Sequence, residues 1–518
     1  MARPELVENA AGRLVPAEVN GAEQVPFRGV GGHRPSGRKA APLIRTCLDY
    51  PEDGDKRVGS LREALEQVGL ADGMVVSTHH HLRNGDAVAN MVFEAAAEMG
   101  RRDLMWFPSA SFPVHEPQIA HMESGVIHHI EGSMNGPLGD YCTAGRMRGL
   151  GVLRSHGGRW QAIQDGEVHI DVAVIAAPTA DPFGNANALD GPAACGLLGF
   201  ALADSIYAER VVVVTDNLVP FPCLPWQIQG NNVDVVVEVP SIGDPAKIVS
   251  GTTRITQSPD RLRIAELAAR FCDAAGIVRD GFSFQAGAGG TTLAFAIFLR
   301  DIMRERGVAA AFARGGSTKY MVEMLREGLI GYILDGQTFD LDGVASMRED
   351  PRHVDTSPFT SYNFHGKGNF ASMVDVAVLG ATEVDVDFNA NVVTHSDGRL
   401  LHGIGGWQNC LAARTTMLLV PSFRDRIPVI VDEVTTLCGP GELIDVVVTE
   451  RGIAVNPRRQ DLLDAVAGSG LPIRDIHDLK AELDRLCGAP QRIQRSRDPV
   501  AVVKWVDGTV LDTVWRIG

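Results

Sequence analysis

A stretch of seventeen residues occurs twice in this chain, 204 positions apart: 171–187 (DVAVIAAPTADPFGNAN) returns as 375–391 (DVAVLGATEVDVDFNAN), with nine identities and no gap. A second pair keeps nearly the same offset, because DGMVVSTHHHLRNGD begins at Asp72 and DGFSFQAGAGGTTLA at Asp280. Two copies of one unit imply two tandem, duplicated α/β domains, and the crevice between such units is the natural place for a ligand. The expected boundaries are an N-terminal extension over 1–55, a first domain over 56–250 and a second over 251–518.

The pattern along each copy supports that division. SLREALEQVGL predicts a helix capped by Ser60, MVVST a strand, and AVANMVFEAAAEMG a second helix closed by Gly100. HIDVAVIAAP, RVVVVTD and VDVVVEVP are continuous Val/Ile runs of the kind buried on both faces of a parallel sheet. The Thr/Ser/Gly-rich SGTTRITQSPD, at 250–260, reads as a linker. Beyond it SPDRLRIAELAARFCDAAG, FSFQ and TTLAFAIFLRDIMRERG repeat the helix, strand, helix order, followed by VDVAVLG, TTMLLVP, IPVIVDEV and IDVVVTE as strands. KWVDGTVLDTVW closes the chain as a hairpin turning on Asp507-Gly508. Residues 1–55, rich in Gly, Pro and charge, read as an extended arm.

With 45% hydrophobic and 22% charged residues over 518 positions, the chain has ample material for buried cores. A net charge of −16 argues against a nucleic-acid or anionic-membrane surface, and no apolar run has the length of a membrane span. The eight cysteines are scattered without a CxxC pair, so reduced thiols and a cytoplasmic location are expected. An anionic substrate would need a local cationic pocket in so acidic a protein.

The strongest local signal is the loop Gln285-Ala-Gly287-Ala-Gly289-Gly290-Thr-Thr between a strand and a helix. Either it is a tight turn, or its glycines and the free N–H groups of the helix start receive a phosphate, carboxylate or oxyanion. It lacks the Lys of a P-loop and the third glycine of a dinucleotide fingerprint. In the first copy the same position carries His79-His80-His81 and Arg83, which read as a solvated loop or as an anion site built from His80 and Arg83. Adjacent histidines on an extended loop point apart, so no metal site is expected. Ser155-His156-Gly157-Gly158-Arg159 reads as a turn lining the site rather than a nucleophile and base, since an orienting acid is missing. Asn187 and Asn391 end the two repeated strands and either cap turns or hold a bound carboxylate. Glu383 replaces Thr179 at the equivalent position, and a carboxylate in one copy alone is either structural or catalytic.

Taken in order, VSTHHHLRNGD, SHGGRW, DPFGNAN, FSFQAGAGGTTLA, ATEVDVDFNANV, SDGRLLHGIGG and RGIAVNP resemble the α subunit of citrate lyase, from about residue 56 to the C-terminus. The resemblance implies two CoA-transferase-like domains with mainly parallel sheets, and two partners. These are a carbon–carbon lyase β subunit and a small acyl-carrier γ subunit bearing a phosphoribosyl-dephospho-CoA arm, with no cofactor bound by this chain itself. It also implies the exchange of acetyl-carrier plus citrate for citryl-carrier plus acetate. A stand-alone CoA-transferase acting on another carboxylate, or a ligand sensor on the same fold, are the alternatives.

Under that resemblance Gly405 and Gly406, in HGIGGW, join the Gly287–Gly290 loop as donors to a tetrahedral oxyanion, and Gln285, Gly287, Gly289 and Gly290 receive the carrier arm. Arg83, Lys319 and Lys367 are the cations expected to meet citrate. Glutamate-dependent CoA-transferases carry a Gly-x-His-Ser/Thr-Glu segment, whereas the matching stretch here, Arg314-Gly-Gly-Ser-Thr-Lys319, has no acid. The implication is direct attack by citrate on the acetyl thioester to give a mixed anhydride. A shifted alignment would leave Glu323 or Glu383 as nucleophile.

Overall fold

The structure is a computed structural model that describes residues 4–35, 51–249, 254–287, 289–364, 366–488 and 496–517. Two large sheets dominate it. The first has seven strands in the order Arg57–Val58, Val235–Glu238, Arg210–Thr215, Val172–Ala177, Val75–Thr78, Leu104–Pro108, Ile127–Ile130, with every neighbouring pair parallel. The second has eight, and Val446–Thr449, Thr416–Leu419, Val376–Leu379, Ser283–Ala286, Ala310–Ser317 and Ile330–Thr338 follow one another in the same order as their first-half counterparts. It differs at its edges, by an antiparallel Gly452–Val455 on one side and a parallel His353–Asp355 on the other.

The duplication extends to individual hydrogen bonds. Asp171 Oδ2 accepts from the Val75 backbone N–H at 2.7 Å, and Asp375 Oδ2 from that of Ser283 at 2.9 Å, so each carboxylate starts the neighbouring strand of its own sheet. Asp181 Oδ1 gathers the N–H groups of Phe183, Gly184 and Asn185, while Asp385 Oδ1 takes those of Asp387 and Asn389. Asn185 and Asn389 then accept from Gly230 and Gly441, each at 2.9 Å. A buried carboxylate that collects several backbone donors fixes a loop more firmly than neutral bonds do, because charge-assisted bonds are about twice as strong.

Local signals account for the helices. Ser60 accepts from the Glu63 N–H and caps Leu61–Gln67, while Pro259 at the first turn opens the helix Pro259–Ala274. That helix and Gly290–Arg306 cover the second sheet and share a core with Phe271, Phe284, Phe295 and Leu299. The other large core runs without interruption from Val76, Ile175 and Val213 of the first sheet to Leu418, Val447 and Ile404 of the second half. Gly196 marks how closely the halves meet, since a Cβ there would lie 2.1 Å from Thr338 Oγ1.

Both chain ends depart from the expected layout. The described part of the N-terminal segment is folded, with Leu6–Glu8 paired to Leu14–Pro16, where an extended arm was expected. The C-terminal hairpin, Pro499–Lys504 and Val510–Trp515, forms with Asp507-Gly508 at its turn, but it joins Gly151–Leu153 of the first half in a three-stranded sheet. Asn9 bonds to the carbonyls of Val510 and Leu511, and Val15, Val19, Val152, Val502 and Val510 close a small core of their own. Part of the expected linker, residues 250–253, lies outside the described residues. Among the described residues no helix is long and apolar enough to cross a membrane.

Candidate active site

In parallel sheets ligands gather at the carboxyl ends of the strands. Here the carboxyl ends of both sheets face each other. Val75–Thr78 runs into the histidine loop, Ser283–Ala286 into the glycine loop, and the Arg83 guanidinium reaches across to the Thr338 carbonyl, at 2.6 Å, where Ile330–Thr338 ends.

The three histidines diverge, as neighbours on extended backbone must. His79 Nε2 contacts Asp204 at 2.9 Å, and His81 bonds to the Ala176 carbonyl at 2.6 Å. His80 turns into the crevice, with Nδ1 at 2.6 Å from Ser109 Oγ and its ring stacked on His156 at 5.0 Å and 9°. Phe200 packs against both rings. Burial, with His156 next in effect, holds His80 well below the usual imidazole range, and burial with Arg159 brings His156 down to about 3. Both are neutral at pH 7, so each ring offers one N–H donor and one nitrogen acceptor.

His156 opens the helix His156–Gln164, capped by Ser155, where a turn was expected. Its backbone N–H bonds to the Gly405 carbonyl at 2.9 Å, and the Gly157 N–H bonds to Asn409 Oδ1 at 3.1 Å, so the first-half imidazoles and the Gly405-Gly406 segment form one wall. Gly405 sits at φ +61°, and a Cβ on Gly406 would come within 2.6 Å of the Tyr362 hydroxyl. Only glycine fits there. Behind that wall lie Tyr362, Cys410, Gln285 and Arg314. Gln285 accepts from Arg314 Nη1 and donates to Cys410 Sγ.

The glycine loop is open on its ligand side. A Cβ on Gly287 or Gly289 would meet nothing nearer than Thr292 Oγ1 at 3.6 Å, whereas Gly290 packs against Arg254 and Thr256 backbone at 3.0 Å. Thr292 ties the loop down by donating to the carbonyls of Gly287 and Gly289. The seventeen-residue helix Gly290–Arg306 starts at this point, and the first-turn N–H groups of such a helix have no partner within it.

The remaining expected residues are not gathered here. Both oxygens of Glu383 are engaged, Oε2 by Asn391 Nδ2 at 2.9 Å and the Thr435 N–H at 2.8 Å, Oε1 by the Thr435 hydroxyl at 3.0 Å. Asn391 is occupied at both ends, by Glu383 and Thr394, and Asn187 accepts from Leu189 and donates to Cys223. Lys319 and Lys367 are exposed. Arg83 is 7% exposed with φ +51°, its guanidinium lies 4.0 Å over Phe339, and burial pushes it down to about 10. Among the described residues the grouping with metal-ligand spacing is His169, Asp171 and Glu209, at the amino ends of the first-sheet strands and away from the crevice.

A family model for "Citrate lyase, alpha subunit" matches residues 54–517. The chain belongs to the citrate lyase α-subunit family. The citrate lyase α chain of Klebsiella pneumoniae is 42% identical over 460 residues, 88% of this chain and 91% of that one. A crystal structure from Streptococcus mutans, described as the α subunit of citrate lyase in complex with citrate, superposes with a TM-score of 0.95 at 40% identity, over 99% of this chain and 100% of that one. A 4-hydroxybutyrate CoA-transferase from Porphyromonas gingivalis, 17% identical with a TM-score of 0.54 over 83% of this chain and 98% of that one, shares the fold.

Arg314, Tyr362, Phe200 and Cys410 were not among the expected site residues. Arg314 was visible only as the first residue of the acid-free segment Arg314–Lys319, and Tyr362 lies in a stretch without a motif.

Proposed function

We propose that this protein is the acyl-exchange subunit of a citrate lyase complex, with citrate as substrate. The observation that carries the reading is the whole-length match, at TM-score 0.95, to the Streptococcus mutans protein described with citrate bound. The partners in this reading are a lyase β subunit and an acyl-carrier γ subunit, whose phosphoribosyl-dephospho-CoA arm presents the acetyl thioester.

The chemistry needs a carboxylate to attack a thioester although it is a poor nucleophile. A citrate carboxylate oxygen adds to the acetyl carbonyl carbon, the tetrahedral oxyanion collapses, and the C–S bond breaks to leave a mixed anhydride and a thiolate. The thiolate then adds to the citryl carbonyl of the anhydride, and acetate departs. Atoms balance without an enzyme-bound acyl group, in keeping with the missing acid in 314–319 and with a Glu383 whose oxygens are already engaged.

The chain's own residues supply confinement and polarity. The open side of Gly287 and Gly289 leaves room for a slender thioester arm, and the helix start behind it favours the anionic parts of that arm. Gly405 and Gly406 bring backbone against the reacting carbonyl, where losing one good donor costs about 3 kcal/mol. Holding two reactants in one crevice supplies several kcal/mol more. Neutral His80 and His156, with Phe200, form a wall that excludes water, which would otherwise hydrolyse the anhydride. Arg83 supplies positive charge at the crevice edge.

Mass spectrometry of the purified protein with acetyl-CoA, standing in for the acetylated carrier, and citrate tests this directly. Citryl-CoA and acetate are the expected products. No product, with the acetylated carrier also supplied, overturns the reading in favour of another carboxylate or of a sensor.

A further inference from the structure

Among the described residues five arginines are buried: Arg13, Arg83, Arg154, Arg159 and Arg314. Three have carboxylate partners. Arg13 meets Glu433 at 3.2 Å, Arg154 meets Glu131 and Glu167 at 3.1 and 3.0 Å, and Arg159 places both terminal nitrogens on Asp204 at 2.7 Å. Arg83 has a carbonyl acceptor and the charges of Asp335 and Asp340 in its surroundings.

Arg314 is the exception. It is fully buried, at 0% exposure, and among the described residues no carboxylate lies within 4.0 Å of its guanidinium. Nη1 donates to Gln285 Oε1, and the Tyr362 ring lies 4.5 Å from Cζ. Nε and Nη2 have no acceptor. Tyr362 and Cys410 do not provide the missing charge, because burial raises both above their ordinary values and leaves them protonated at pH 7. Beside the Gln285 oxygen and the Tyr362 ring, the Tyr362 hydroxyl and Cys410 thiol lie close enough to favour the charged guanidinium, yet all of these groups are neutral at pH 7 and leave a buried cation without a counter-charge.

We infer that Arg314 is the receptor for one carboxylate of the substrate, which enters between the glycine loop and the Gly405-Gly406 wall and takes up the two N–H groups left without acceptors. The position suits the role. Gln285 leads into the glycine loop, Tyr362 touches the space that a Gly406 side chain would fill, and the His156 ring lies 6.5 Å from that of Tyr362. The planar fork of arginine matches a carboxylate with two parallel bonds, and Gln285 aims the fork. The inference rests on the proposed exchange of citrate and assigns its anchor.

Calorimetric titration of citrate into the full-length protein, alongside the acetyl-CoA exchange assay, tests it with Arg314→Met and Arg314→Lys. The Met variant should lose citrate affinity by about 100-fold or more, and the Lys variant by about 10-fold, since it keeps the charge without the fork. The melting temperature of the unliganded Met variant should equal or exceed that of the wild type, because an uncompensated buried charge is gone. A folded Met variant that binds citrate within twofold of wild type overturns the inference. A Met variant that fails to fold, with a Lys variant of wild-type affinity, assigns Arg314 to the core and overturns it equally. Wild-type protein that neither binds nor exchanges citrate removes the functional reading as well, whereas exchange retained by wild type and Met variant alike removes this inference alone.

Discussion

The two halves share a scaffold and differ in what they mount on it. Asp171 and Asp375, Asp181 and Asp385, Asn185 and Asn389 make matching bonds in both. At the end of the equivalent strand, however, the first half presents buried imidazoles and the second an open glycine loop. Duplication preserved the bonds that shape loops and left the loop contents free to diverge. A crevice lined by two unlike faces can hold two unlike reactants side by side, which identical faces would do less well.

Acid should separate the halves most. His80, His81 and His156 all belong to the first half, and burial lowers all three, His81 to about 4 and His156 to about 3. Groups depressed in the folded state bind protons on unfolding, so their stabilisation is complete above the unfolded value near 6.5 and falls away as pH drops below it. These three should contribute roughly 4 kcal/mol per pH unit to the loss in urea unfolding between about pH 5.5 and 4.5, and His121, His128 and the second half's His402, also lowered by burial, add lesser amounts of the same sign. That contribution should shrink by about a third in His156→Asn, and an unchanged slope would show that the pair is protonated when folded. Next in size, Gly287→Val should reduce exchange by about 100-fold, or about 3 kcal/mol, with an unaltered melting curve, since its Cβ meets only Thr292 Oγ1 at 3.6 Å. Loss of the fold with the activity would place that loop with the scaffold instead.

One carboxylate of the second half should respond to pH with the opposite sign. Burial pushes Asp385 up to about 6, so its protonated form is favoured on folding, and that stabilisation is present below about pH 4 and lost as pH rises through 6. Asp385→Asn should remove this decline, on the order of 2 kcal/mol, from unfolding curves between pH 4 and 6.5. Smallest is Glu383→Gln. With its oxygens held by Asn391 and Thr435, the carboxylate should cost about 1 kcal/mol of stability on replacement and leave exchange within about threefold of wild type. A loss of exchange beyond about 100-fold in rate assays would return Glu383 to the reaction.

The repeat made the scaffold legible before any coordinates. Seventeen aligned residues fixed which strands correspond, and the Val/Ile runs at 172–177 and 210–215 fell where the parallel sheet places them. The strands Ala310–Ser317 and Ile330–Thr338 were harder to see. Their sequences, AAFARGGS and IGYILDGQT, mix charge and glycine because their carboxyl ends line the crevice. The glycine loop, Arg83 and His80 stood out because their spacing or composition is unusual. Arg314, Tyr362 and Cys410 did not, since 48 residues separate each from the next and only tertiary folding brings them together. Asn187 and Asn391 were visible because the repeat carries them, and in both halves the side chain is engaged in a local turn.

The C-terminal hairpin bears on the order in which this protein is made. Strand Gly151–Leu153 emerges from the ribosome about 350 residues before its partner Pro499–Lys504, and the three-stranded sheet they share cannot form in the meantime. N-terminal domains ordinarily fold while the rest is still being synthesised. Here a hairpin from the far side of the second half pairs with a strand of the first and clasps Asn9 and Phe27 as it does so. A product that stops short of residue 499 therefore leaves Gly151–Leu153 without its partner strand.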